Sequence, residues 1–148
     1  KGFEAFLIGG CVRDLILGRK PKDWDITTNA NPDQIISSFP NTFYENEYGT
    51  VGVVDEKNED ETLKVVEVTP YRLEEKYSDN RRPDSVTFSG KLEDDLKRRD
   101  FTINAIALKI IDRDTKKGLY KATITDLFGG IKDLKSGMKK VVPIFYFK

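Results

Sequence analysis

Histidine is missing from the 148 residues, and cysteine, methionine and tryptophan occur once each. Without histidine there is no imidazole general base, no Ser-His-Asp triad and no histidine-ligated zinc. With Cys11 alone, disulfides within the chain and cysteine metal clusters are excluded as well. Charge of one sign is not in excess either: 25 Lys and Arg balance 25 Asp and Glu, so the chain lacks the basic surplus of a free-standing nucleic-acid binder. A long polyanion would have to be gripped elsewhere. No apolar run reaches the length of a bilayer span and no signal-peptide pattern precedes the first apolar segment, so the expected setting is cytoplasmic, away from membranes.

What remains is a chain with 38% hydrophobic and 34% charged residues, a size and balance that suit one domain with a moderate core and a heavily charged surface. Short apolar runs alternate with short helical patterns, and neither repeats nor linker composition appear. The simplest architecture is a single α/β domain with a mixed sheet.

The densest chemistry lies in GGCVRDLILGRKPKDWDIT, Gly9 to Thr27. Ala5 to Ile8 reads as a buried strand, and Gly9 and Gly10 follow it just before a helical pattern whose apolar stripe is Val12, Leu15 and Ile16. A backbone without Cβ atoms can approach a phosphate closely, and the amides opening the helix favour an anion at the same spot. Arg13 adds a full positive charge. Gly18 suits the helix end, and the chain restarts as a strand with Asp23 and Asp25 on one face, Trp24 and Ile26 on the other. Two carboxylates side by side repel each other unless a cation sits between them or one keeps its proton, and Mg²⁺ is the natural occupant. Alone, an Asp-x-Asp pattern is more often a turn or a solvated edge; the phosphate cradle upstream is what favours the metal. Cys11, at the helix start, reads as a small packing residue.

Farther on, Asn29 or Asn31 can cap a helix opening at Pro32, with Ile35, Ile36 and Phe39 as its buried stripe. Gly49 to Val54 and Leu63 to Thr69 are rich in β-branched residues and form a hairpin. Glu67 interrupts the second strand. Either that strand is an edge with Glu67 in water, or the carboxylate joins Asp23 and Asp25 as a third metal ligand. Tyr71 to Gly90 has the composition of a mobile surface loop, and Leu92 to Lys97 a short acidic helix. In the following RRDFTINA, Arg98 and Arg99 can hold phosphate oxygens while Asp100 or Asn104 can bond ribose hydroxyls; by default the run is a solvated charge cluster. Ile106 to Ile111 and Ala122 to Thr125 read as strands, and Asp126 to Leu134 holds a glycine pair in a loop or short helix.

Taken in order, these pieces resemble the head domain of the class II nucleotidyltransferases that add CCA to the 3′ end of tRNA, and of the related bacterial poly(A) polymerases. GGCVRDLILGRKPKDWDI is similar to that family's first motif, VVEVTPYR to its strand with a third carboxylate, RRPDSVTF and LEDDLKRRDFTINAIA to its second motif and ITDLFGGIKDLKSG to its third. The resemblance covers nearly the whole chain, residues 1–148. It implies a polymerase-β-like palm, a small mixed β-sheet flanked by helices. Asp23 and Asp25, with Glu67 as third carboxylate, would hold two Mg²⁺ ions; Gly10 and Arg13 would cradle the triphosphate of CTP or ATP over the turn supported by Gly9. Arg99 would bind the nucleotide, and Asp100 with Asn104 would support the sugar or the loop. The segment after Tyr71 is similar to the family's nucleotide-selecting loop. The family's neck, with its base-selecting motif, and its body and tail find no match here, so the implied enzyme is the catalytic head of a longer chain or of two chains that assemble, the tRNA 3′ end being held mainly outside this one. Two alternatives accompany that reading: a poly(A) polymerase, and a nucleotide-binding or assembly module without turnover of its own.

Overall fold

The computed structural model describes residues 2–45, 48–73, 87–114 and 118–143. Seven strands form one sheet: β1 (Ala5–Ile8), β2 (Asp25–Thr28), β3 (Thr42–Tyr44), β4 (Val51–Val54), β5 (Val65–Pro70), β6 (Ile106–Asp114) and β7 (Leu119–Asp126), in the spatial order β3-β4-β5-β2-β1-β6-β7. The pairing of β2 with β5 is parallel and the others are antiparallel, so the sheet is mixed, as expected. Among the described residues four short α-helices join it: α1 (Gly10–Ile16), α2 (Pro32–Ile36), α3 (Leu92–Lys97) and α4 (Gly130–Lys135).

Register sorts the side chains of the sheet into two faces. Leu7, Ile26, Val68, Val51 and Val53 share one face, where α1 and α2 close apolar clusters around Val12 and Ile35. The opposite face carries Ile8, Asp25, Thr27, Glu67, Thr69, Gly52 and Phe43. There α3 packs Leu92 and Leu96 with Ile8, Tyr71 and Ala107, covering the β1 and β6 half. The β5, β4 and β3 half of that face, with Glu67 and Phe43, stays exposed. β5 is nonetheless not an edge strand, since it lies between β4 and β2, although Glu67 itself is exposed.

Several sequence expectations shift in detail. In α1, Val12 and Cys11 are buried while Leu15 is 38% exposed, because only two turns form and Ile16 already reaches the edge of the cluster. In α2, Asn31 is the cap, forming reciprocal bonds with Gln34, and of the expected stripe Ile35 alone is buried; Ile36 and Phe39 are exposed because the helix ends at Ile36. The segment Tyr71 to Gly90 is tied at both ends: Tyr71 is fully buried, Leu73 N donates to Thr87 O and Ser89 N to Tyr71 O. Residues 74–86 between them lie outside the described residues. Among the described residues no helix is long and apolar enough to cross a membrane.

Candidate active site

Gly9 ends β1 at φ 73°, ψ −133°, a conformation that only glycine adopts without strain, and it is the residue from which α1 starts. A Cβ there would lie 3.4 Å from Asp25 Oδ2 and 3.5 Å from Arg99 Nη1. The turn thus brings the glycine pair, an aspartate of β2 and the arginine after α3 to one point. Gly10, Arg13, Asp23 and Asp25 line a cleft of about 330 Å³ together with Cys11, Asp14 and Lys22. Cys11 is buried and donates its thiol to Ile8 O at 3.1 Å, and burial pushes the thiol's pKa up. It is a packing residue.

Asp25 opens β2, whereas Asp23 lies in the bend before it rather than within the strand. The strand therefore starts two residues later than expected, at Asp25 rather than Asp23. Asp25 stands opposite Glu67 in the parallel β2–β5 register, and Glu67 N donates to Trp24 O at 3.0 Å, which fixes that alignment. Trp24 turns away and donates from Nε1 to Thr62 Oγ1. Burial pushes the Asp25 carboxyl above its ordinary pKa; Arg99 pulls it back, and Asp23 and Glu45 push it up again. Glu67 is raised in the same direction, first by desolvation and then by Glu45, Asp25 and Asp23. Four carboxylates thus repel one another at one end of the sheet.

Hard oxygen donors held in mutual repulsion suit a divalent cation of the Mg²⁺ type, which relieves the repulsion on binding. The side chains are not drawn into a ready ligand set: among the described residues no group of three acidic side chains reaches metal-binding spacing. What is preset is the backbone that aims them.

The second arginine motif is organised by a residue that the sequence reading passed over. Asp95, on α3, is fully buried and accepts from Arg98 Nε and Nη2, from Arg99 Nη2 at 3.2 Å and from Thr27 Oγ1 at 3.2 Å. One carboxylate thereby locks both guanidiniums to β2, and Arg98 and Arg99 are not the solvated cluster that their composition suggests by default. The i, i+3 and i+4 spacing of Asp95 with Arg98 and Arg99 is the signal that could have found it. Glu45 had no such signal, since only the sheet order carries it to Asp25.

Asp100 and Asn104 are brought together with Arg13: Arg13 Nη1 donates to Asn104 Oδ1 at 3.1 Å, and Asn104 Nδ2 to Asp100 Oδ1 at 3.1 Å. The third motif buttresses this loop from behind. Asp126 caps α4 by accepting from Gly130 N and Ile131 N, and Asp133 accepts from Thr102 Oγ1 at 2.8 Å and pairs with Lys140 at 2.7 Å. Gly130 packs so tightly that a Cβ would meet Thr102 O at 2.1 Å.

Residues 5–140 match the family described as the Poly A polymerase head domain. Among curated relatives, the CCA-adding enzyme of Leuconostoc mesenteroides is 42% identical over 142 residues, which are 95% of this chain and 31% of that protein. The CCA-adding enzyme of Staphylococcus aureus is 46% identical over 145 residues, 97% of this chain and 32% of its own length. Among solved structures, the Bacillus stearothermophilus CCA-adding enzyme in complex with CTP superposes with a TM-score of 0.71 at 39% identity, over 95% of this chain and 30% of that one. A tRNA nucleotidyltransferase complexed with a primer tRNA and an incoming ATP analog gives a TM-score of 0.65 at 29% identity, over 96% of this chain and 36% of the other. The chain spans about a third of the length of these relatives.

Proposed function

We propose, from the premise that the chain belongs to the poly(A) polymerase head-domain family, that it is the catalytic head of a cytoplasmic, template-independent RNA nucleotidyltransferase that adds CMP and AMP from CTP and ATP to the 3′ end of tRNA. The observation that carries this is the convergence at Gly9, where Asp25 of β2 and Arg99 meet the start of α1 while Asp25 stands in register with Glu67. The relatives with CTP and with primer tRNA support the same substrates.

In this reading Gly10 and the first amides of α1 bind the triphosphate, and Arg13, steadied by Asn104, neutralises it. Asp100 and Asn104 hold the loop beside the sugar. Asp23, Asp25 and Glu67 are the residues that would hold two Mg²⁺ ions; when bound, the ions supply charge neutralisation and acidify the RNA 3′ hydroxyl. In the transfer the 3′ oxygen bonds to the α-phosphorus, the bond from that phosphorus to the bridging oxygen breaks, pyrophosphate leaves with the electron pair, and the hydroxyl proton passes to water. No covalent enzyme intermediate is needed, which agrees with a chain lacking histidine. The neck and body that grip tRNA belong to a further segment or a partner chain, in keeping with the zero net charge of this one.

The test is extension of tRNA lacking its terminus by Mg²⁺ and labelled CTP and ATP, using the chain alone and joined to the part of a longer relative that it does not span. Products should stop at CCA, and Asp25→Ala should abolish them. Unlimited growth on ATP alone would instead establish a poly(A) polymerase. Triphosphate binding without extension in either form would leave a binding module. An unimpaired Asp25→Ala would overturn the metal assignment.

A further inference from the structure

The acidic face of the sheet carries one cross-strand row that runs Phe43, Gly52, Glu67, Asp25 through β3, β4, β5 and β2. Its outer end is unusual. A Cβ on Gly52 would lie 2.3 Å from Phe43 Cζ and 2.5 Å from Cε1, so the Phe43 ring occupies the space that any other residue at 52 would fill. Phe43 is nonetheless 44% exposed, and the next residue inward along the row, past Gly52, is Glu67. From the spacing of strands in a sheet, about 4.8 Å each, the backbone of Phe43 stands about 14 Å from that of Asp25.

Direction matters here. Gly9 and Gly10, which cradle the phosphates in the proposed function, lie on the β1 side of Asp25, whereas Phe43 lies on the β3 side. In-line displacement puts the attacking oxygen and the leaving pyrophosphate on opposite sides of the α-phosphorus. The β3 side is therefore where the attacking strand comes in. Above the same open half, Arg72 Nη2 donates to Thr50 Oγ1 at 3.0 Å, and Thr50 Oγ1 is 3.2 Å from Thr69 Oγ1 on the acidic face. Arg72 stands within electrostatic reach of Arg98, Arg99 and Asp95. Arg72 thus places a guanidinium beside that half, which suits a phosphodiester backbone passing over the sheet.

We propose that Phe43, set down on Gly52, is a stacking platform for the 3′-terminal base of the RNA that is to be extended. The inference rests on the proposed function and adds to it a residue on the nucleophile's side. A flat aromatic surface accepts any base, which suits a strand whose terminal base changes after each addition. A purely structural role is the rival: an aromatic ring covering a strand glycine stabilises a sheet without touching substrate.

Steady-state extension and 2-aminopurine fluorescence separate the two, using tRNA whose 3′-terminal base is replaced by that fluorophore, with calorimetric CTP binding measured in parallel on the extension-competent protein. Phe43→Ala and Phe43→Leu should each raise KM for RNA by about 5- to 100-fold, the range of a lost base-aromatic stack, and should lose the quenching of the terminal fluorophore. KM for CTP should move less than twofold, and Phe43→Tyr should restore both readouts. Wild-type RNA binding in Phe43→Leu, which keeps an apolar side chain beside Gly52 but no flat ring, would overturn the proposal in favour of the structural role. A shift in KM for CTP without one for RNA would overturn it in favour of stacking by the incoming base. If the unaltered protein binds CTP and extends RNA while the Phe43 variants match it, this inference fails alone. If the unaltered protein binds neither CTP nor RNA, the proposed function fails and this inference with it.

Discussion

Replacing Asp95 by asparagine removes the buried charge that Arg98 and Arg99 share while keeping the shape of the side chain. Asp95 is fully buried, and its partners are Arg98 at 2.6 Å, Arg99 at 3.2 Å and Thr27 at 3.2 Å. Arg99 is itself only 19% exposed, and burial already holds its pKa below the ordinary value against the opposing pull of Asp95. Breaking a buried ion pair by neutralising one member costs about 3–5 kcal/mol, because the remaining charge is left uncompensated. For a domain of this size that amounts to a fall in Tm of roughly 6–20 °C. Thermal unfolding followed by circular dichroism reads it directly. The freed guanidinium of Arg99 would also move from Gly9, so nucleotide affinity should fall together with Tm. Should Asp95→Asn melt within 1 °C of the unaltered protein and bind CTP equally well, Asp95 does not organise the arginines and the electrostatic account of the site is wrong.

Gly9→Ala should lower Tm by a few degrees, from about 1–3 kcal/mol of backbone strain at positive φ, and should weaken CTP binding more than Gly18→Ala, whose added Cβ meets open space. Asp25→Asn should melt higher than the unaltered protein at pH 7 without divalent metal: the folded pKa of Asp25 is raised, so the carboxylate costs stability as pH climbs through that value, and the amide escapes the cost. A lower Tm in EDTA would contradict this. Asp60, paired with Lys20 at 2.9 Å and bonded by Thr62, has its folded pKa lowered to about 2. Its contribution is present above roughly pH 4 and is lost as pH falls through about 2, so an acid titration of Lys20→Met should be flatter over that interval than that of the unaltered protein.

The sequence made local features legible and left convergence hidden. The order of strands and helices, the hairpin around Asp55 to Glu61 and the glycine turn were readable because each follows from neighbouring residues. Asp23, Asp25 and Glu67 stood out as carboxylates in strand-like patterns, yet the reason Glu67 faces Asp25, a parallel pairing of two neighbouring strands that β3 and β4 separate in sequence, is a tertiary fact. Helix faces were overestimated at Leu15, Ile36 and Phe39, because periodicity cannot tell a two-turn helix from a longer one. Asp95 looked like one member of an acidic run until burial set it apart, and Phe43 acquired meaning only when register placed it on Gly52.

The most direct test is Mn²⁺ binding followed by electron paramagnetic resonance, with and without CTP, in the unaltered protein and in Asp25→Asn. The account predicts Mn²⁺ uptake that tightens when the triphosphate is added and is lost in the variant. Equal uptake by both proteins, or triphosphate binding indifferent to the cation, would contradict the claim that the carboxylates of β2 and β5 gather a divalent metal beside the Gly9 turn.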